Sequence, residues 1–229
     1  MGTINFTATN SSLKFTSIPS DTKTQAIDAN INAAARPVIF APEADYTLQP
    51  NGTLTSTGTV TKEGAGTLVF TNSQTLGTLA VSDGTLKIND GTTLTVNSVT
   101  LAPQALLNLT LSSETADTPL MAVSGALTSS SLEGEIAFSK DADTTIQAGD
   151  SFLLMTAAGM SDADFSSLNF AASNDSLIDF SGGVWNYTLQ PLGNGVGIFA
   201  TAQLENTVPE PSAWLLLALG AFFLLKRKK

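Results

Sequence analysis

A glycine-led phrase recurs through the middle of the chain: Gly52-Thr53-Leu54, Gly66-Thr67-Leu68, Gly77-Thr78-Leu79, Gly84-Thr85-Leu86 and Gly91-Thr92-Thr93-Leu94. Each leads into a short strand-like run, among them Leu68-Val69-Phe70, Leu79-Ala80-Val81, Leu86-Lys87-Ile88 and Leu94-Thr95-Val96. Alternation of apolar with Thr or other polar residues is the two-residue period of a strand with one buried face. Glycine permits positive φ, and Asp83-Gly84 and Asp90-Gly91 are favoured turn pairs. Gly64, Gly66, Gly77, Gly84 and Gly91 are therefore the expected turn positions. Strands this short cannot build a sheet alone, but stacked as coils of a solenoid each buries its apolar face on the next. The fold expected is mainly β, a parallel β-helix with a short N-terminal helix, an aromatic-rich C-terminal β cap and a single C-terminal hydrophobic helix.

The flanks divide the chain further. Ile27, Ile31 and the alanines 33–35 share one helical face, so Asp21 to Arg36 is expected to be helical, with Ser20 or Asp21 as N-cap and Pro37 as stop. Val38-Ile39-Phe40 and Tyr46-Thr47-Leu48 then return to strand. After about residue 103 the phrases thin out, although Leu107 to Leu111, Ile136-Ala137-Phe138 and Phe152-Leu153-Leu154 keep a strand pattern. Phe165, Phe170, Phe180, Trp185, Tyr187 and Phe199 concentrate here, and Val184 to Leu189 with Val196 to Ala200 reads as an antiparallel pair across Gly193-Asn194-Gly195. The expected units are 1–50, a strand and helix capping segment; 51–111, the β-helix repeats; 112–204, irregular coils and β cap; 205–211, a linker; and 212–229, a hydrophobic helix and basic tail.

Composition limits the chemistry. The 229 residues contain no His and no Cys. That removes disulfides, thiol nucleophiles, the Ser-His-Asp triad and zinc sites of the usual kind. Twenty acidic residues face ten basic ones, a net charge of −10, which argues against nucleic acid. Carboxylates recur in pairs at Glu133 and Glu135, Asp141 and Asp143, Asp162 and Asp164, and Asp175 and Asp179. Such pairs could bind calcium or act on a glycosidic bond. No calcium-loop motif accompanies them, so solvated surface is the default, and no catalytic residue, metal or cofactor is expected. Ser-x-x-Lys occurs at Ser11 to Lys14 and Ser20 to Lys23 without the partner motifs a serine nucleophile of that kind needs.

The charge is uneven. Residues 1–225 hold six basic and twenty acidic residues, a charge of −14, while Lys226, Arg227, Lys228 and Lys229 carry +4. The tetrad follows thirteen residues with no polar side chain: Ala213, Trp214, Leu215, Leu216, Leu217, Ala218, Leu219, Gly220, Ala221, Phe222, Phe223, Leu224 and Leu225. As a helix this run spans roughly 20 Å, short of the ~30 Å hydrocarbon core, so it suits a transient anchor with its basic end in the cytoplasm.

Val208-Pro209-Glu210-Pro211, the apolar run and the basic end, in that order at the C-terminus, resemble the PEP-CTERM sorting domain of exported proteins in Gram-negative bacteria. The resemblance implies recognition by an exosortase, a membrane-embedded protease, cleavage near Pro209 to Pro211, and delivery to the cell surface or extracellular matrix. Proteins of that kind start with a signal peptide. Met1-Gly2-Thr3-Ile4-Asn5-Phe6 instead reads as a strand under way, so a longer precursor is expected.

A second resemblance covers about residues 58–90. Lys62-Glu63-Gly64-Ala65-Gly66-Thr67-Leu68, followed by Gly84-Thr85-Leu86, resembles the autotransporter-associated beta-strand repeat and implies a right-handed parallel β-helix. Together these readings point to an exported structural or adhesion protein of the cell surface or biofilm matrix, with an extracellular polysaccharide as a candidate partner. The alternative is a polysaccharide-active β-helix enzyme, a lyase or hydrolase using surface carboxylates.

Overall fold

The computed structural model describes residues 2–5, 12–17, 21–112 and 117–205. The chain winds in rounds of three sides. The first round contains β1 (Gly2–Asn5), β2 (Leu13–Thr16) and β3 (Thr24–Ile27); the second β4 (Ala29–Ala34), β5 (Val38–Ala41) and β6 (Thr47–Pro50). In the next three rounds sides one and two merge into one long bent strand: β7 (Leu54–Lys62) before β8 (Thr67–Phe70), β9 (Gln74–Val81) before β10 (Gly84–Ile88), and β11 (Leu94–Leu101) before β12 (Ala105–Leu111). Four consecutive rounds, from Ala29 to Leu111, are complete, which makes the body a β-solenoid.

Pairing from round to round is parallel, with register shifts between β4 and β7 and between β7 and β9. Leu48, Leu68, Leu86, Leu107 and Ile136 form one inward column. Val38, Val60, Leu79 and Val99 form another. Every member of both columns is at most 3% exposed, and each such side chain contributes about 1.5–3 kcal/mol relative to exposure. The glycine phrases earn their place by register: Gly84-Thr85-Leu86 in β10 stacks on Gly66-Thr67-Leu68 around β8.

Helix is scarce, and the stretch Asp21 to Arg36 corrects the sequence expectation, because it forms β3 and β4. Ile27 and Ile31 are four apart not on one helical face but on two strands joined at a corner at Asp28. Within β4 the period is two, with Ile31 and Ala33 buried and Asn32 and Ala34 exposed. Ile31 stacks on Leu54, a long-range pairing that outweighs the helix preference of an alanine run. Residues 24–50 are therefore coils of the solenoid rather than a helical plug.

Beyond β12 the rounds loosen through β13 (Met121–Val123), β14 (Glu135–Lys140), β15 (Ser151–Ala157), the one-turn helix α1 (Asp162–Ser166) and β16 (Asn169–Phe170). The last two strands, β17 (Gly183–Leu192) and β18 (Gly195–Leu204), form the expected antiparallel pair, and β18 lies antiparallel on β15. Aromatic rings fill this end. Phe138 packs edge-on to Trp185 at 5.6 Å, and Phe170 stacks on Tyr187 at 3.8 Å. Asn174 closes the edge of β14: it accepts from Phe138 N at 2.8 Å and donates to Ile136 O at 3.3 Å, while Trp185 Nε1 donates to its carbonyl at 2.9 Å.

Candidate functional site

The sequence-derived sorting residues, Val208 to Pro211, the apolar run and the basic tetrad lie outside the described residues, as does the expected C-terminal helix. Among the described residues no helix is long and apolar enough to cross a membrane. The body hands over to this tail at Leu204 and Glu205, both exposed, at the free end of β18. Leu204 is 59% exposed beside a shallow hollow with Ile146, Phe180 and Asp179.

Of the expected turn glycines, Gly64, Gly84 and Gly91 adopt positive φ, +71°, +66° and +62°. Gly66 lies in the corner ahead of β8. Gly77 is not in a turn but inside β9, where the strand bends; a Cβ there would run into the Thr57 carbonyl oxygen of the previous round.

Of the paired carboxylates, Asp164, Asp175 and Asp179 are each engaged with backbone N–H groups. Asp164 accepts from Ser129 N at 2.8 Å and from the Ser161 hydroxyl at 2.5 Å. The Ser161 hydrogen bond, with those from Ser129, holds its pKa below the ordinary carboxylate value. Asp179 binds Lys140 at 2.5 Å and Ile146 N at 2.7 Å, and those contacts likewise lower it. Asp175 accepts from Trp185 N at 3.0 Å, on the outer edge of β17. Among the described residues no cluster of three metal-ligating side chains forms.

The sequence reading assigned no role to the buried Lys62 and Gln74. Lys62, fully buried, donates its ammonium to the carbonyls of Glu63 (2.9 Å), Gly64 (2.6 Å) and Asp83 (2.9 Å). Burial pulls its pKa down to about 8 while nearby Asp83 opposes the shift. Gln74 reaches back one round, accepting from Leu54 N at 2.7 Å and donating to Gly52 O at 3.1 Å. The Lys-x-Gly spacing marked Lys62 in the sequence, but its burial depends on the round above.

The outward side chains of side one form a ladder. Asn32, Thr55, Thr75, Thr95, Ala122 and Thr156 are register partners in that order. Rungs about 4.8 Å apart make this line roughly 24 Å long. Thr53, Ser73 and Thr93 stand two positions earlier, about 6.6 Å along each strand. Where β7 and β9 bend, a groove of about 440 Å³ is lined by Thr53 to Thr57, Ser73, Thr75, Gly77 and Asn97. Further along the same side, Ser124, Thr156, Leu192 and Asn194 line a second hollow of about 280 Å³.

Residues 207–229 match the PEP-CTERM protein-sorting motif. That motif places the tail among exosortase-processed sorting signals, which implies export and anchoring in the membrane during sorting. No curated protein is significantly similar to the chain.

Proposed function

We propose that the chain is a non-enzymatic structural protein of the cell surface or extracellular matrix. Residues 212–229 hold it in the inner membrane for a time, and an exosortase cuts it at Val208 to Pro211. The observation that carries this reading is the sorting motif at 207–229, which follows directly on a body that ends at the exposed Leu204 and Glu205. The two prolines favour an extended segment, which suits a protease that needs unfolded substrate. The β-solenoid is compatible with a rigid stalk outside the cell. The non-enzymatic reading is supported by Asp164, Asp175 and Asp179 each holding backbone in place.

We infer from the sequence resemblance that residues 58–90 form a coil of the autotransporter-associated type, a reading with which the Lys62 corner and the stacking of Leu86 on Leu68 are compatible. We take the winding as right-handed, the sense that strand twist favours for parallel crossovers. The test is to locate the protein in cell, envelope and medium fractions with and without residues 208–229. Loss of surface delivery on deletion is expected; unchanged location overturns the sorting role.

A further inference from the structure

We propose that side one of the solenoid is a binding face for a neutral, hydroxyl-rich polysaccharide lying across the coils. This deepens the surface-or-matrix reading, because such a polymer is met outside the cell.

At several other places on the molecule hydroxyls pair with a neighbouring side chain. Ser98 donates to Thr78 at 3.2 Å, Ser139 bonds Asn108 at 2.8 Å and Thr110 at 3.0 Å, and Ser151 bonds Thr201 at 2.9 Å. In the groove the hydroxyls of Thr53, Thr55, Thr57 and Thr75 have no partner among the described residues, and all four residues are exposed. Each can donate one hydrogen bond and accept two, the same capacity as a sugar hydroxyl.

Concavity is a second, independent observation. Gly77 lines the 440 Å³ groove together with the threonines, and the 280 Å³ hollow continues on the same ladder. Two hollows in line with a roughly 24 Å ladder suit an extended polymer better than a compact ligand. Leu192, 38% exposed in the second hollow, offers the apolar contact that the C–H face of a sugar ring needs.

Charge selects the kind of polymer. Segments 30–34, 53–57, 73–77, 93–97, 121–124 and 155–158 contain no Asp, Glu, Lys or Arg. Within these segments a polyanion would find no cation, and the body around them is strongly acidic. A protein partner would look for aromatic or Arg-binding anchors in a packed pocket, and the exposed large apolar residues of the described chain are Leu192 and Leu204.

The experiment is co-sedimentation of the full chain, kept soluble in mild detergent, with amorphous cellulose and, separately, with cross-linked polygalacturonate. Retention on cellulose and not on polygalacturonate is expected. Thr55→Val with Thr75→Val keeps shape and strand preference while removing two hydroxyls, and should weaken retention about tenfold, the equivalent of one to two hydrogen bonds. Thr55→Ser with Thr75→Ser should restore it, and Thr61→Val with Thr100→Val on side two should leave it unchanged. The proposal is overturned by absence of retention on cellulose, by preference for polygalacturonate, by equal retention of the folded valine variant, or by inhibition of ice growth without cellulose binding. Because the assay uses purified protein, it fails or succeeds independently of where the cell delivers the chain.

Discussion

The Lys62 ammonium donates to the backbone carbonyl of Asp83 at 2.9 Å, binding one round of the solenoid to the next from inside the core. Lys62 occupies a column whose other members, Phe40, Val81 and Leu101, are apolar. Three carbonyls surround one ammonium, so the cation at this corner is tethered to the chain.

That burial gives a pH dependence with a definite sign. The Lys62 pKa is about 8 in the folded chain against 10.5 ordinarily, so between those values the unfolded state binds more protons and folding stability rises with pH. The stability difference between wild type and Lys62→Met should therefore shift toward wild type by up to about 3 kcal/mol between pH 8 and 10.5, read from urea titrations. A difference that stays flat over that window would show that Lys62 keeps its ordinary pKa.

Asp164 and Asp179 act in the opposite pH range. Their folded pKa values lie below 3.8, so their stabilisation is complete above that pH and is lost as pH falls through the folded values. Asp164→Asn and Asp179→Asn should each be less stable at pH 7 and lose less than wild type on acidification, followed by thermal melts from pH 5 to 2.

Glycine positions separate by packing. Gly77→Ala forces a Cβ onto the Thr57 carbonyl, and Gly84→Ala adds positive φ to a clash with the Gly64 carbonyl. Each should cost about 2 kcal/mol or more. Gly193→Ala, with nothing within 4 Å, should stay within about 0.5 kcal/mol of wild type. Equal melting temperatures for all three variants would contradict the stacked register.

Asn174 ties off the end of the core. Asn174→Ala leaves the Phe138 N–H without its acceptor and removes the donors to Ile136 O and the Tyr187 hydroxyl. A loss of about 2–4 kcal/mol is expected from denaturant midpoints, with hydrogen exchange at Phe138 rising more than at Leu86.

How far the sequence foretells these features depends on where each interaction closes. The Gly-Thr-Leu phrases, the strand at Leu107 to Leu111 and the hairpin around Gly193 and Asn194 are local patterns, and they emerge in the structure at those residues. The segment Asp21 to Arg36 was ambiguous, since Ile27 and Ile31 suit a helix as well as two strands meeting at a corner. Gln74, Lys62 and Asn174 are legible only once the coils are stacked, because their partners lie 20 to 38 positions away or around a backbone corner. The ladder of Thr55, Thr75 and Thr95 is likewise a product of the twenty-residue separation between rounds, not of any one strand.

The central claim is that the chain is cut at its C-terminal motif and released from the membrane. Intact-mass analysis of the protein recovered from outside exosortase-bearing cells tests it directly. A product ending within Val208 to Pro211, lacking Lys226 to Lys229 and carrying a charge of −13 or −14, is predicted. Released protein that still ends at Lys229 would contradict it.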